Sequence, residues 1–465
     1  MLRTIRDRIS VSQTVRLVLV GGFLLMLAAN LPGHLSTDSI LQLYEGRMEV
    51  RETFGPVVYA RILGVLDEIV PGAGLYVVAS GLLLTASLLS LRDLRPRTSL
   101  LAIPVAAFVV LSPTVLVYQG IVWKDVLFAN LAVAGFAALA RAARRWNDHG
   151  VRWLALAAAL LLMALAMSIR QNGVVAPVLG AIVLAWTARG GGWKAMAAYG
   201  IGGLAAVVVV AQALGVVAQP ASAGPDKAVG VGLRILQHYD IIGAVAHDPT
   251  LKLEAIDAAN PAADDLLRAE AAKVYSPERV DFVDRIPEVG KTLWPLPAET
   301  ISAEWRDLIL RHPQAYLAHR WDAFCWVFFT PVIEKCVPVH VGVSGPPEKL
   351  TALRLTAESD PADAAVFGYA ARFFHTPLYS HLSYAIISVG VMGLLLLRRD
   401  PADMVVAALQ LAALGFAASF FVISLACDYR YLYFLDLAAL TGLLYVALDP
   451  PRLRLAKRRV EGAPA

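Results

Sequence analysis

Two adjoining stretches near the start of the chain decide the fold. They are VRLVLVGGFLLMLAANL, residues 15–31, and PGHLSTDSILQ, residues 32–42. The first stretch is an apolar run of the length that a membrane-spanning helix requires. In the second, Ser36 or Thr37 followed by Asp38 is typical of a helix start, because a hydroxyl can cap free N–H groups and the helix dipole stabilises a carboxylate there. We therefore expect a membrane helix followed by a short interfacial helix that begins near Asp38.

The composition of the chain is that of a membrane protein. Of its 465 residues, 58% are hydrophobic and 17% are charged, and the mean hydropathy is +0.60. This is too apolar for a soluble protein of such length. No small-residue cleavage site follows the first apolar run, so we interpret that run as a retained helix and not as a signal peptide. The net charge of +4 does not indicate nucleic acid as a partner, because the basic residues lie at the ends of apolar runs.

Further apolar runs predict an all-α polytopic membrane protein with about ten transmembrane helices. The predicted spans are residues 15–31, 74–91, 99–118, 126–140, 151–168, 173–186, 193–217, 382–397, 404–426 and 431–448. Arginine and lysine collect in alternate loops, which places these loops and both termini in the cytoplasm. The opposite side then receives the loop 32–73, the turns around Lys124, Arg170 and Arg430, and the long region 218–381.

We expect three parts in this chain. Residues 1–217 form an N-terminal transmembrane module that carries catalysis, residues 218–381 form an extracytoplasmic region, and residues 382–465 form the C-terminal helices and a cytoplasmic tail. Within the first loop, residues 56–70 have helical apolar spacing and are predicted to lie in the membrane interface. The aromatic-rich stretch 316–333 is expected to be an interfacial helix, because as a span it would reverse the sidedness of the later arginine-rich loops.

The sequence also makes predictions for two charged residues and three cysteines of the outer side. His319 and Arg320, on the aromatic-rich helix, are expected to be surface groups. Cys325, Cys336 and Cys427 all fall on the outer side, so one disulfide can form there, and the sequence does not identify its pair.

Ionisable residues recur at the outer ends of the spans. Asp38, Asp125, Lys124, Arg170 and Arg430 all lie at this depth. Each has a simpler interpretation, since the acids can cap helices and the cations can anchor helices beside an aromatic belt. Cations on the outer side run against the positive-inside rule, however, which favours a function. If these span ends face one cavity, a lipid phosphate would meet the three cations and Asp38 could act on an incoming hydroxyl.

Four short strings resemble a known family. They are Trp-Lys-Asp at 123–125, Arg-x-Asn-Gly at 170–173, Leu-Gln-His-Tyr-Asp at 236–240 and Asp-Tyr-Arg-Tyr at 428–431. With an aspartate just after the first span and a large outer region after the seventh, they resemble poorly characterised bacterial members of the GT-C fold. This family contains membrane glycosyltransferases that use polyprenyl-phosphate-linked sugars, such as protein O-mannosyltransferases and the aminoarabinose transferase of lipid A.

The resemblance implies a function and a site. The chain would be an inverting glycosyltransferase of the bacterial inner membrane that moves a sugar, on the periplasmic side, from a polyprenyl-phosphate donor to a hydroxyl of a glycan, lipid or protein acceptor. Asp38 would be the general base, and Asp125 would position the acceptor or a metal. Lys124, Arg170 and Arg430 would bind the donor phosphate. Further candidate substrate contacts are His34, Asn172, Asp240 and Tyr429.

A bound divalent metal is only weakly supported, and no other cofactor is implied. Some members of the family carry paired acidic motifs, whereas this chain has a lone Asp38 in the first loop and a single Asp125 in the second. Hard divalent cations require several oxygen ligands.

Two other functions remain open. A ligase or polymerase of lipid-linked glycans would share the cations and the large outer region, but would depend on arginine and histidine more than on Asp38. A flippase or transporter of lipid-linked sugars would show paired broken helices. Pro104, Pro113 and Pro177 lie in predicted spans, but they have no matching set in the second half of the chain. The spans are also almost free of ionisable groups at mid-depth, which argues against a proton-coupled pump.

Overall fold

The protein is helical throughout the part of the chain that the structure describes. The computed structural model describes residues 10–220 and 228–450, and in these ranges β structure is limited to isolated bridges. This confirms the predicted all-α class. The predicted cytoplasmic clusters around Arg3–Arg8 and Arg452–Arg459 lie outside the described residues.

The α-helices are numbered here in chain order. They are α1 Val11–Asn30, α2 Thr37–Met48, α3 Val57–Ile69, α4 Gly74–Leu91, α5 Ala102–Leu111, α6 Pro113–Leu116, α7 Lys124–Arg144, α8 His149–Ile169, α9 Val175–Thr187, α10 Gly192–Ala218, α11 Ala228–His247, α12 Glu254–Ala259, α13 Pro261–Val274, α14 Pro287–Leu293, α15 Ala298–Arg311, α16 Pro313–Phe329, α17 Pro347–Leu353, α18 Pro361–Ala371, α19 His381–Arg398, α20 Pro401–Ile423 and α21 Tyr433–Leu448. Short 3₁₀ turns include Gln171–Val174, Ala188–Gly191, Ile333–Cys336 and Tyr429–Leu432.

The helices long and apolar enough to cross a membrane make this a multi-pass membrane protein. Eight such segments occur within the described ranges, and a bent pair of helices makes a ninth. The longest segment, Gln171–Ala218, contains both α9 and α10. These two helices turn back at Ala188–Gly191 and pack closely, because a Cβ on Gly200 would lie 2.8 Å from that of Ala185. The segment therefore corresponds to two of the ten predicted runs.

The predicted third span, residues 99–118, is wrong in one respect, because it is not one continuous helix. Helix α5 ends at Leu111, and the helical segment Pro113–Gly120 continues at an angle of 57° to it. Pro113 has no N–H group to donate to the carbonyl of Val109, and its ring would clash with the preceding turn. The bend brings Ile121 beside His34, with which it forms a parallel bridge.

Two spans lie at the centre of the bundle. Within the most apolar 18 residues of α7, 89% are buried inside the protein, and the corresponding share in Tyr429–Leu448 is 83%. In α1 the share is only 22%. The side chain of Phe128 from α7 stacks on that of Phe416 at 4.9 Å and meets Phe434 edge-on at 5.2 Å. Asp125 and Arg430 lie at the N-terminal ends of these two central segments, so both residues are near the middle of the bundle.

The first loop folds into the two short helices α2 and α3. Helix α3, Val57–Ile69, agrees with the helix predicted for residues 56–70. The two helices cross with their backbones in contact, because a Cβ on Gly64 would lie 2.4 Å from the carbonyl oxygen of Gly46. This crossing fixes α2, and therefore Asp38 at its first turn, against a rigid neighbour.

The long region between α10 and α19 contains helices α11 to α18 and hydrophobic cores of its own. Its aromatic-rich helix α16 is not among the segments of the described ranges that are long and apolar enough to cross a membrane, and its position in the interface stays a prediction. The expectation that His319 and Arg320 are surface groups is wrong, because both are fully buried. They pair with the carboxylate of Asp240, which supplies the neutralisation that buried charges require.

A disulfide joins the long region to the C-terminal spans. Cys336 and Cys427 are 91 positions apart and their Cα atoms lie 4.9 Å from each other, while Cys325 is free. The disulfide anchors the turn that leads into Arg430.

Candidate active site

Asp38 is held at the start of α2 by contacts to the segment before α7. The indole Nε1 of Trp123 donates a hydrogen bond to Ser36 Oγ at 3.0 Å, and Ser39 Oγ donates to the carbonyl of Val122 at 2.6 Å. These bonds fix the backbone on both sides of Asp38. The carboxylate itself is not covered, since 57% of the Asp38 side-chain surface is accessible.

Arg430 lies directly beside Asp38, although the two residues are 392 positions apart. Its Nη2 atom donates to Asp38 Oδ2 and also to Asp428 Oδ2, at 3.1 Å in the second case. The guanidinium lies 4.8 Å from the ring centroid of Trp123, a distance at which a cation is attracted to the aromatic face. Only 9% of the Arg430 side chain is accessible, so the open side of this ion pair is the Asp38 side.

Asp125 and Arg170 continue the cluster inward. Asp125 is 3% accessible at its side chain, its Oδ1 pairs with Arg170 Nη1, and its Oδ2 lies 3.9 Å from Arg430 Nε. The guanidinium of Arg170 is covered by the rings of Phe416, Phe420 and Tyr431, with centroids 5.5–5.8 Å away. Arg170 is therefore already engaged by one carboxylate and three rings.

Lys124 is the unpaired cation of this group. It opens α7 and is only half-buried. Throughout residues 10–220 and 228–450, its ammonium group has no hydrogen bond and no carboxylate within ion-pair distance. A cation of this kind beside a carboxylate that is already paired is available to an anionic ligand.

The ionisation of Asp38 follows from its surroundings. Burial raises the pKa of the Asp38 carboxyl and is the largest single effect, but the Arg430 guanidinium, Lys124 and Arg279 together lower the pKa by more. The net result is a pKa below the ordinary aspartate value, so Asp38 is a carboxylate at neutral pH. While Arg430 remains in contact, however, it is a weak base.

The cluster contains two residues that were absent from the predicted site. Asp428 contacts Arg430, and Arg279 donates to Asp428 Oδ1 at 2.7 Å. Asp428 could have been found, because it lies two positions before Arg430 in the string Asp-Tyr-Arg-Tyr. Arg279 comes from the long region, where a bridge to Ala426 brings it to the site, and no local pattern marks it.

Two of the further candidate contacts lie at the edge of the cluster. His34 is buried, its Nε2 is 3.2 Å from Asn30 Oδ1, and its Nδ1 accepts from the backbone N–H of Gly342 at 3.1 Å. Burial lowers the pKa of His34, so the ring is neutral at neutral pH and joins the first loop to the long region. Asn172 donates to Ser419 Oγ at 3.0 Å and does not touch the acids.

The other two candidates are enclosed by protein. Asp240 is fully buried, pairs with Arg320 and accepts from Trp305 Nε1 at 2.6 Å. Tyr429 is also fully buried, and its ring stacks on that of His381 at 4.0 Å. Within the described residues, neither side chain makes a hydrogen bond or an ion pair with Asp38, Lys124 or Arg430, so their role as substrate contacts remains a prediction.

The acids of the cluster are not arranged as a metal site. In the described part of the chain, no group of three or more His, Cys, Asp or Glu residues could hold a metal ion. Asp38, Asp125 and Asp428 instead each face a guanidinium. These residues therefore do not fit a divalent cation, which requires several oxygen ligands of its own.

Comparisons with known proteins give little beyond this geometry. No protein-family model and no curated protein matches the chain. A solved structure that is similar is the archaeal oligosaccharyltransferase AglB from Archaeoglobus fulgidus in complex with an inhibitory peptide and a dolichol-phosphate. The identity is 14%, the TM-score is 0.39, and the match covers 92% of this chain and 50% of that one. The chain thus spans about half the length of that protein, and no activity follows from a similarity this low.

Proposed function

We propose that this protein is a membrane glycosyltransferase that moves a sugar from a polyprenyl-phosphate donor to an acceptor hydroxyl at the outer membrane boundary. The observation that carries the proposal is the ion pair of Asp38 and Arg430 beside the unpaired Lys124. It combines an accessible carboxylate with two cations at the ends of the two central spans. This combination suits a reaction in which a hydroxyl loses a proton while a phosphate gains charge.

The donor phosphate would bind Lys124 and the guanidinium of Arg430. Arginine binds phosphate oxygens in pairs and lysine acts as a point charge. Phosphate binding by Lys124 and Arg430 would not leave a buried acid unpaired. Asp125 remains paired with Arg170, and Asp428 remains paired with Arg279. We assign Arg170 and Asp125 to the support of Arg430, since Arg170 is covered by aromatic rings on its remaining side.

The reaction would follow from these placements. Asp38 removes the proton of the acceptor hydroxyl, and the oxygen forms a bond to the anomeric carbon from the face opposite the phosphate, so the configuration is inverted. The bond from the anomeric carbon to the phosphate oxygen breaks, and both its electrons leave with the lipid phosphate. Lys124 and Arg430 stabilise the charge that develops on that phosphate.

Arg430 would also couple donor binding to the strength of the base. In the free protein its Nη2 contacts Asp38. A donor phosphate that binds Arg430 competes with Asp38 for this group and places a second negative charge nearby. Both changes raise the pKa of Asp38 toward the range in which a carboxylate is an effective general base.

The disulfide supports an extracytoplasmic location for the site. Cys427 lies three positions before Arg430 and is bonded to Cys336. Disulfides persist in oxidising compartments and are rare in the cytoplasm. This agrees with the sidedness predicted from the arginine-rich loops.

The proposal is tested by sugar transfer in membranes that contain Asp38→Asn. Undecaprenyl-phosphate-linked radiolabelled hexoses and pentoses are supplied one at a time, and products are separated by chromatography. We expect turnover to fall by about 10²–10⁴-fold, the usual contribution of a general base. The matched control is Asp281→Asn, because Asp281 is an exposed acid 3.6 Å from Arg279 that does not touch Arg430.

Other outcomes would select other functions. Near-normal turnover in Asp38→Asn would remove Asp38 as the base. If transfer then depended on Arg430, the ligase or polymerase hypothesis would be favoured. Movement of the labelled lipid across the membrane with no covalent change would favour a flippase.

A further inference from the structure

A cavity lies at the end of the bundle opposite to the Asp38 cluster. Helix α7 runs from Lys124 to Arg144 over 21 residues, so its two ends are separated by about 30 Å. At the far end, a cavity of about 630 Å³ opens between the turn after α7, the turn between α9 and α10, and Pro401 at the start of α20. Its walls include Arg144, Arg145, Trp146, Asn147, Thr187 and Arg189.

Two of the three arginines in this cavity have no acidic partner. Among the described residues, the exposed guanidinium of Arg145 has no hydrogen bond or ion pair. Arg189 donates to the carbonyl of Trp186 at 2.9 Å and lies 3.7 Å from its ring centroid, but meets no carboxylate in the described ranges. Arg144, by contrast, pairs with Asp400 at 2.9 Å. The cavity therefore has positive charge that the protein does not neutralise.

The one acid on the wall has a structural role. Asp148 is the N-cap of α8, and its Oδ1 accepts from the backbone N–H of Val151 at 3.2 Å. The side chain thus satisfies the helix end and makes no ion pair with the neighbouring arginines within the described chain.

Aromatic side chains around the cavity indicate its depth in the membrane. Trp153 is 54% exposed and Trp193 is 74% exposed, and the ring of Tyr199 packs between Trp146 and Trp153 at centroid distances of 5.1 and 6.1 Å. Exposed tryptophans and tyrosines collect at the level of the lipid headgroups. The cavity mouth therefore lies where a headgroup phosphate can reach it laterally.

We propose that this cavity binds the headgroup phosphate of an anionic membrane lipid, held by Arg145 and Arg189. The planar guanidinium groups match phosphate oxygens, and basic pockets between spans are typical sites for anionic headgroups. A lipid is favoured over free phosphate because the surrounding tryptophans place the mouth at the bilayer surface. The site is separate from the proposed catalytic cluster and would link the packing of α7, α8, α9 and α20 to the lipid composition.

The test uses the full-length protein in nanodiscs of phosphatidylcholine with about one-fifth phosphatidylglycerol. Native mass spectrometry counts the phosphatidylglycerol molecules retained after gentle detergent transfer. We expect Arg145→Gln/Arg189→Gln to weaken retention by about 25-fold, since each basic residue near the surface contributes about five-fold. The matched control is Arg141→Gln, because Arg141 is also exposed at this end but does not line the cavity.

Three results would overturn the proposal. The first is unchanged retention in the double variant, and the second is an equal loss in Arg141→Gln, which would indicate a diffuse charge effect. The third is displacement of the lipid by millimolar inorganic phosphate, which would identify a free-phosphate site instead. A melting temperature of the double variant equal to that of the native protein in pure phosphatidylcholine confirms that the variant is folded.

Discussion

The sharing of Arg430 between Asp38 and a donor phosphate predicts opposite effects of one substitution on binding and on turnover. In Asp38→Asn, Arg430 loses a carboxylate partner and becomes more available to phosphate. Because more than half of the Asp38 side chain is accessible, its ion pair is screened by solvent and is worth only about 0.2–1 kcal/mol. We therefore expect undecaprenyl phosphate to bind Asp38→Asn about one and a half to five times more tightly, while sugar transfer falls by about 10²–10⁴-fold.

The assay measures binding and turnover on the same purified protein. Labelled undecaprenyl phosphate is titrated into nanodiscs that contain the native protein, Asp38→Asn or the control Asp281→Asn. Asp281 lies 3.6 Å from Arg279 and is exposed, so its removal changes the local charge equally without releasing Arg430. Weaker binding in Asp38→Asn, or equal tightening in the control, would refute competition for Arg430 even if the loss of turnover were observed.

The sharing of Arg430 between Asp38 and the donor phosphate also predicts how kcat and kcat/KM depend on pH. In the free protein the pKa of Asp38 lies below its ordinary value, so protonation should reduce kcat/KM only below the pH range in which an ordinary aspartate titrates. In the donor complex Arg430 is shared with phosphate and the pKa of Asp38 is higher. The acidic limb of kcat, which reports the complex, should therefore lie at higher pH than that of kcat/KM. Superimposed limbs would contradict the exchange.

Three further substitutions test the parts of the site separately. Lys124→Gln should weaken donor binding by about 10- to 100-fold, the loss of one charge-assisted bond, in the same titration. Gly64→Ala should destabilise the protein by about 1–3 kcal/mol in thermal unfolding, because the new Cβ would lie 2.4 Å from the carbonyl oxygen of Gly46. Cys336→Ser should cost about 2–5 kcal/mol of stability under oxidising conditions, and reducing agent should abolish the difference from the native protein.

Each of these predictions has a control of the same chemistry elsewhere in the chain. Lys252→Gln removes an exposed lysine of the long region and should leave donor binding unchanged. Gly21→Ala adds a Cβ with no atom within 4 Å and should not destabilise the protein, because alanine is the better helix former. Cys325→Ser removes the free thiol and should not change the response to reductant. If a control variant showed the same change as its test variant, the contact proposed for the test residue would not be the cause of that change.

The sequence predicted the helices well where hydrophobicity alone decides the structure. Apolar runs identify spans because backbone groups in lipid must bond within the helix, and this sufficed for segments such as α7 and α20. The bend at Pro113 escaped this reasoning, since an apolar run has the same composition whether its helix is straight or broken. His319 and Arg320 were assigned to the surface for the general reason that charged residues are seldom buried unless paired. Their partner, Asp240, lies about 80 positions earlier and could not be paired with them from spacing.

The sequence predicted only some of the residues of the candidate site and none of the ion pairs between them. The topology alone places four of its residues at one depth, and the sequence therefore groups Asp38, Lys124, Asp125 and Arg430. Topology does not define which acid meets which cation. The pairing of Asp125 with Arg170, which leaves Lys124 free, depends on side-chain packing around the central spans, and neither periodicity nor charge pattern carries that information.

The position of Arg430 depends on the long region as much as on the membrane helices. Three links hold the segment from Ser424 to Arg430. Arg320 Nη1 donates a hydrogen bond to the Ser424 carbonyl at 2.9 Å, Cys427 forms the disulfide with Cys336, and Asp428 forms an ion pair with Arg279. All three links come from the long region and reach a short segment between two spans. That region is therefore a rigid support for the group proposed to bind phosphate, and changes in its packing would reach Arg430 through these covalent and ionic links.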